Sequence, residues 1–130
     1  MAEHWFSKDP KEQLAGKTAI IMGGGSGIGK ATAELFAAAG ANLMITGVPE
    51  QICLDTAAEL REGGANAIGM LCDGTKPEQV EAMISKTIEE FGGIDILVST
   101  AGITLPRMNS IEVTEADWDK IFSVNLKANF

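Results

Sequence analysis

Short apolar segments alternate with longer segments of helical periodicity along almost all of the 130 residues. The apolar segments predict strands at residues 17–22, 42–46, 66–72 and 94–98. The periodic segments predict helices at residues 28–39, 50–62 and 77–91, and a last helix after Thr114. Strands that are separated by helices of about a dozen residues pair in parallel through right-handed crossovers. The pattern therefore predicts an α/β fold, half of a doubly wound parallel sheet with strand order 3-2-1-4 and helices on both faces.

Residues 14–130 are predicted to form part of one domain, preceded by a polar leader at residues 1–13. The leader contains no apolar segment of the kind that a secretory signal requires. No segment approaches the roughly 20 consecutive apolar residues of a membrane span. We therefore expect a cytoplasmic protein with no membrane partner.

Charge and metal-binding residues exclude several other classes of function. A formal net charge of −8 argues against a nucleic-acid partner, because such surfaces neutralise phosphates with Lys and Arg. Cys53 and Cys72 fit no zinc spacing and are too few for a disulfide framework, so we expect reduced, buried thiols. His4 is the only histidine, which argues against a His-based metal site and a Ser-His-Asp triad. No metal site is predicted.

A glycine-rich segment at residues 23–29, here called the glycine loop, joins the first predicted strand to the first predicted helix. Glycine permits positive φ and close approach of a ligand to the backbone, and a helix start offers free N–H groups to a pyrophosphate. Gly29 is expected to let the helix pack tightly on the strand. A plain turn is the alternative, but a strand before and a helix after the loop favour dinucleotide binding. The predicted ligands in this loop are Gly23, Gly25, Ser26, Gly27, Ile28 and Gly29.

The spacing Gly-x-x-x-Gly-Ile-Gly resembles that of the short-chain dehydrogenase/reductase family. Residues 14–17 are similar to the lead-in to that family's first strand, and residues 91–98 to the entry to its fourth strand. Ala101 and Gly102 match the end of its Asn-Asn-Ala-Gly motif, and Asn125 matches the helix asparagine of its catalytic tetrad. The resemblance extends over residues 14–130 and implies a partial Rossmann fold with NAD or NADP as cofactor. It also implies a small carbonyl or alcohol substrate and a homo-oligomer at full length.

The resemblance implies further cofactor-binding residues beyond the glycine loop. Asp73 and Gly74 fall where the family contacts the adenine ring, and Val48 follows the second strand near the ribose. The remaining implied contacts, after the fourth strand, are Thr100, Ala101 and Gly102.

The choice between NAD and NADP stays open at this stage. An acidic residue after the second strand would bind the ribose 2′-hydroxyl, and an arginine would accept a 2′-phosphate. Gly47 and Val48 occupy these positions and are neither. Glu50 near the ribose is one alternative, but an exposed residue in the first turn of a helix is the favoured interpretation of Glu50. Lys30 near a phosphate is another, and a solvated lysine is equally compatible with the sequence.

Two departures from the family pattern concern the glycine loop. Met22 stands where the family usually has a threonine, and we expect the loss of a hydroxyl that ties the loop to the fourth strand. Ser99 and Thr100 replace two asparagines, which removes side-chain amides that both donate and accept. Weaker cofactor binding is the expected result.

Only Asn125 represents the family's catalytic tetrad in these residues. The family's proton donor is a tyrosine, and the sequence contains none, so we expect the 130 residues alone to be inactive. The last predicted helix, capped by Thr114 and Asp117, is expected to continue for about four turns to Phe130 without a C-cap. That end predicts a truncated fragment whose fourth strand has an unpaired, association-prone edge. A non-catalytic nucleotide-binding short form and a non-functional truncation are the alternatives.

Overall fold

The structure is a computed structural model that describes Asp9 and residues 12–130, and within this part strands and helices alternate. The strands are β1 Thr18–Met22, β2 Asn42–Gly47, β3 Ala67–Leu71 and β4 Ile96–Ser99. The α-helices are α1 Gly27–Ala38, α2 Glu50–Glu62, α3 Pro77–Phe91 and α4 Glu115–Asn125. Short 3₁₀ helices lie at Ser110–Glu112 and Lys127–Asn129. The expectations for most of the polar leader, including His4, lie outside the described residues.

The four strands form one parallel sheet in the order β3-β2-β1-β4, which confirms the predicted topology. In the register of the central strand, Ile20 lies opposite Met44 of β2 on one side and Leu97 of β4 on the other. The chain moves away from β1 in one direction through β2 and β3, and then returns to place β4 on the opposite side. This reversal opens a crevice at the carboxyl ends of β1 and β4, where open α/β sheets bind their ligands.

Alternate side chains of the strands are buried on opposite faces of the sheet. Ile21 and Ile45 pack on one face with Ala33 of α1 and Ala57 of α2. On the other face, the buried cluster includes Ile20, Met22 and Met44 together with Met83 of α3. The helices therefore cover both faces, as predicted, and both faces of the central strands are apolar because both are covered.

The predicted strand 94–98 begins later than expected, at Ile96. The reason lies in the side chain of Asp95. Its carboxylate accepts a hydrogen bond from the backbone N–H of Thr18 at 2.9 Å and forms an ion pair with Lys17 at 3.0 Å. The Thr18 N–H of β1 thus donates to a side-chain carboxylate, whereas in a longer β4 it would donate to a backbone carbonyl of that strand. The pKa of Asp95 is lowered, first by the Thr18 N–H and then by Lys17.

The prediction of a last helix that continues to Phe130 is wrong. α4 ends at Asn125 after 11 residues, and the chain continues through Leu126 into the 3₁₀ helix. The side-chain amide of Asn129 donates to the backbone carbonyl of Asn125 at 2.9 Å, which supplies a partner for an orphan carbonyl at the helix end. The start of α4 agrees with the sequence, because Thr114 and Asp117 form the capping box in both directions.

Apolar side chains are exposed along β4 and the last helix. Leu97 is 56% exposed and β4 pairs with β1 alone among the described strands. Trp118 and Phe122 stack with their ring centroids 4.4 Å apart and are also largely exposed. The expected association through this edge stays a prediction. Within the part of the chain that the structure describes, no helix has the length and apolar character needed to cross a membrane.

Candidate functional site

A cavity of about 480 Å³ lies at the carboxyl ends of the strands, at the reversal of strand order. Its size falls in the range of small-molecule and cofactor sites. The glycine loop, the segments after β2 and β3, and the loop after β4 form its walls. Of the predicted cofactor-binding residues, the cavity is lined by Gly23, Gly25, Ser26, Gly27, Ile28, Val48, Asp73, Gly74, Thr100, Ala101 and Gly102.

The glycine loop packs too tightly for side chains at several positions. A Cβ atom at Gly29 would lie 2.1 Å from the carbonyl oxygen of Gly23. The first turn of α1 therefore packs directly against the backbone at the start of the loop. Gly23 has φ +79°, and a Cβ there would lie 2.6 Å from Oγ1 of Thr100. A Cβ at Gly25 would lie 2.5 Å from Cγ1 of Ile52. Side chains are therefore excluded by crowding at Gly23, Gly25 and Gly29, whereas at Gly27 there is open space and only the positive φ of +52° disfavours them.

The first turn of α1 offers unpaired backbone donors beside this loop. Ser26 is the N-cap, with extended backbone angles, and its side chain makes no capping hydrogen bond. No acidic residue lies in the first turn of the helix. The N–H groups and the positive end of the helix dipole are therefore not neutralised by the protein itself, which suits a phosphate group.

Thr100 ties the glycine loop to the end of β4. Its Oγ1 donates to the carbonyl oxygen of Met22 at 3.1 Å and lies 3.4 Å from that of Gly23. Its backbone N–H also donates to the Met22 carbonyl, at 2.9 Å. The hydroxyl that the family has at the position of Met22 is absent, as expected, but the hydroxyl of Thr100 joins the same two segments.

Asp73 is the charged residue of the cavity wall. Its Oδ1 accepts from the hydroxyl of Thr75 at 2.7 Å and from the Thr75 N–H at 2.9 Å. These two bonds, with the hydroxyl first, lower the pKa of Asp73 and keep it ionised at neutral pH. Because Oδ1 takes both bonds, Oδ2 remains as an acceptor that suits an amino group such as that of adenine.

Both cysteines are free and buried, as expected, and both line the cavity. Burial raises the pKa of the Cys53 thiol, and the negative charge of Glu50 raises it further. Burial and then the charge of Asp73 raise the pKa of Cys72 in the same way. The thiols are therefore protonated packing groups and not nucleophiles.

Asn125 does not line the cavity, although its neighbours Val124 and Ala128 do. Its side-chain amide accepts from the backbone N–H of Ile103 at 2.8 Å and donates to the Ile103 carbonyl at 2.9 Å. This two-way bond holds the end of α4 against the loop after β4. The predicted catalytic role of Asn125 stays a prediction, and the contact shown is a structural one.

The two residues considered for the choice between NAD and NADP, Lys30 and Glu50, lie at different places. Lys30 forms an ion pair with Glu59 of α2 and does not line the cavity. Glu50 accepts a hydrogen bond from the backbone N–H of Leu71 at 3.2 Å and lies in the sequence between two lining residues, Val48 and Ile52.

Several cavity residues were not predicted from the sequence. They come from the end of β2, from α2, from the segment after β3, from the loop after β4, and from the end of the chain: Gly47, Ile52, Cys53, Cys72, Thr75, Ile103, Val124 and Ala128. Some of them lie next to predicted ligands in the sequence, but Ile52 and Cys53 reach the cavity only because α2 packs beside the glycine loop.

The parallel sheet with strand order β3-β2-β1-β4, the glycine loop and the cavity at the switch point are the features of a Rossmann-type α/β domain. A family model described as short chain dehydrogenase matches residues 17–130. The chain belongs to the short-chain dehydrogenase/reductase family.

Individual relatives agree with this assignment. The chain is 40% identical over 119 residues to the short chain dehydrogenase/reductase astE of Aspergillus oryzae, covering 91% of this chain and 46% of that protein. It is 39% identical to the 3-oxoacyl-[acyl-carrier-protein] reductase FabG of Vibrio cholerae, covering 90% of this chain and 46% of the relative. A crystal structure of hydroxysteroid dehydrogenase from Escherichia coli matches with a TM-score of 0.84 at 30% identity, over 93% of this chain and 51% of the other. The chain thus spans about half the length of these relatives.

Proposed function

We propose that the chain is the dinucleotide-binding part of an NAD(P)-dependent oxidoreductase that acts on a carbonyl or alcohol substrate. The observation that carries this proposal is the cavity at the switch point, walled by a loop in which Gly23, Gly25 and Gly29 leave no room for a Cβ. A pyrophosphate needs that close approach to backbone N–H groups, and the uncapped start of α1 supplies them. When bound, the nicotinamide ring supplies the hydride chemistry.

The chain's own residues bind and orient the cofactor in this proposal. The glycine loop from Gly23 to Gly29 holds the pyrophosphate, and Asp73 accepts from the adenine amino group. Val48 lies beside the adenosine ribose at the end of β2. The segment 100–102 lies against the half of the cofactor that carries the nicotinamide. Thr100 keeps this segment and the glycine loop at a fixed separation through its bonds to Met22 and Gly23.

Binding is testable on the glycine loop directly. We expect NAD or NADP at saturating concentration to slow amide hydrogen exchange in a peptide covering residues 23–29, by about tenfold or more, because the ligand takes these N–H groups. Mass spectrometry of the exchanged protein measures this. A peptide from residues 59–64, at the far end of α2, serves as the internal control and should be unchanged. Unaltered exchange in residues 23–29 of folded protein with either nucleotide would contradict the proposal.

The 130 residues alone are proposed to be inactive. Hydride transfer to a carbonyl requires a proton for the oxygen, and a positioned acid contributes on the order of 10²–10⁴-fold to that step. The sequence contains no tyrosine to act as this acid. We expect no oxidation of NADH or NADPH above background with a panel of ketones, measured by absorbance at the nicotinamide band. A full-length member of the family in the same cuvette conditions is the positive control, and turnover by the 130-residue chain would refute the expectation.

The relatives' names limit how far the substrate can be specified. One relative is named a reductase of 3-oxoacyl-[acyl-carrier-protein] and the solved structure a hydroxysteroid dehydrogenase. These substrates share a carbonyl or alcohol carbon and little else, so we propose that group as the reacting one. For the full-length protein we also propose a homo-oligomer, in keeping with the exposed apolar side chains of α4, and a cytoplasmic location, in keeping with two free thiols.

A further inference from the structure

Charge is distributed unevenly around the cavity. Among the residues that line it, Asp73 is the one with a charged side chain, and no Lys or Arg of the described chain belongs to its wall. The outer end, where β2 stops, is formed by Gly47 and by Val48, whose side chain is 63% exposed. Any negatively charged group of a ligand at this end would meet an apolar side chain and not a cation.

Three lysines lie within two residues of the cavity wall in the sequence, and none of them lines it: Lys30, Lys76 and Lys127. Lys127 lines a separate surface pocket with Phe122 and Phe130. Lys30, in the first turn of α1, is held by Glu59 of the neighbouring helix. Lys76 is the exposed N-cap of α3, and its charge acts on Asp73 from outside the wall. Neither side chain is positioned to neutralise a group beside Val48.

Carboxylates dominate the same end of the cavity. Glu50 begins α2 immediately after the Val48–Pro49 turn, and its carboxylate is fixed by the N–H of Leu71 at 3.2 Å. Its field reaches the wall, because the Glu50 charge contributes to the raised pKa of Cys53. Asp73 acts similarly on Cys72. Asp73 therefore lies in the wall of the cavity, and Glu50 lies in the sequence between two residues of that wall, Val48 and Ile52, with its carboxylate bonded at the end of β3.

We infer that this site binds NAD(H) in preference to NADP(H), that is, a dinucleotide whose adenosine ribose carries a free 2′-hydroxyl. The inference rests on the proposed function and specifies its cofactor. A phosphate group carries about −1.5 to −2 charges at neutral pH and is usually matched by arginine. Here it meets Val48 and the field of Glu50 and Asp73, whereas an uncharged hydroxyl can donate to a carboxylate. Repulsion of this kind in aqueous surroundings corresponds to a preference of about tenfold.

The test uses ligands that contain only the adenosine half of the cofactor. Isothermal titration calorimetry of the 130-residue chain with ADP-ribose and with 2′-phospho-ADP-ribose, at low ionic strength, should give a dissociation constant about tenfold lower for ADP-ribose. Equal affinities, or tighter binding of the phosphorylated ligand, would overturn this inference and leave the proposed function intact. Absence of binding by both ligands, in a chain that circular dichroism shows to be folded, would overturn the proposed function and this inference together.

A pair of variants at the exposed Val48 separates charge from size. Val48→Arg adds a cation beside the ribose and is expected to remove the preference or reverse it, with about tenfold tighter binding of 2′-phospho-ADP-ribose. Val48→Gln adds a polar chain without charge and should keep the preference for ADP-ribose. Loss of the preference in the Gln variant as well would show that shape, and not charge, controls it, and would refute the electrostatic argument.

Discussion

Replacing Gly29 with alanine is expected to weaken nucleotide binding by about a hundredfold and to destabilise the domain by about 3 kcal/mol. The added Cβ would lie 2.1 Å from the carbonyl oxygen of Gly23 and 2.7 Å from Oγ1 of Thr100. Rotation of the Thr100 side chain could relieve the second contact but not the first, because that contact is with the backbone and a Cβ has no freedom of its own. The glycine loop must therefore move away from α1, and its N–H groups lose their common direction.

Matched measurements make the Gly29 prediction specific. Urea unfolding gives the stability change, and calorimetry with ADP-ribose gives the affinity. Gly93→Ala is the control, because a Cβ at Gly93 meets nothing within 4 Å and its φ lies outside the range that disfavours alanine. That control should change stability by less than about 1 kcal/mol and leave binding unaltered. A Gly29→Ala chain that binds ADP-ribose normally would show that the loop does not require this close packing.

Features that depend on neighbouring residues could be predicted from the sequence. The glycine loop lies between β1 and α1 as expected, and the predicted helix at residues 50–62 coincides with α2. The capping box at Thr114 forms because its two partners are three residues apart and need only the local backbone. The strand order could also be predicted, because the handedness of crossover connections leaves few alternatives.

Features that depend on distant pairs could not be predicted. The carboxylate of Asp95 shortens β4 by bonding to Thr18, 77 residues away in the chain. Asn125 pairs with the backbone of Ile103 and not with the cavity, and Asn129 supplies the carbonyl partner at the end of α4. The residues after Asn125 are good helix formers, so a local pattern favours continuation. The hydrogen bonds that end the helix become visible only in the folded chain.

Thr100 is the clearest example of a role that a position-by-position comparison with the family misses. In the family pattern a threonine before the glycine loop provides the hydroxyl, and this chain has Met22 there. The same two segments are nevertheless joined by a hydroxyl, because Thr100 donates back across the gap to the carbonyls of Met22 and Gly23. A donor and its acceptor can exchange sides without any loss of the contact that they make. The two departures, at Met22 and at Thr100, therefore compensate for each other.

Thr100→Val is the test of this compensation, since valine keeps the shape of threonine and removes the hydroxyl. We expect a loss of about 1–2 kcal/mol in the free energy of unfolding, because the Met22 carbonyl loses the Thr100 hydroxyl and keeps only the Thr100 N–H, and the Gly23 carbonyl loses the same hydroxyl at 3.4 Å. Affinity for ADP-ribose should fall by about tenfold, because the glycine loop is no longer fixed to β4. Thr100→Ser retains the hydroxyl, and should keep most of the affinity at a small cost in packing. If the valine variant binds as tightly as the unmodified chain while the serine variant does not, the methyl group of Thr100 and not its hydroxyl positions the loop.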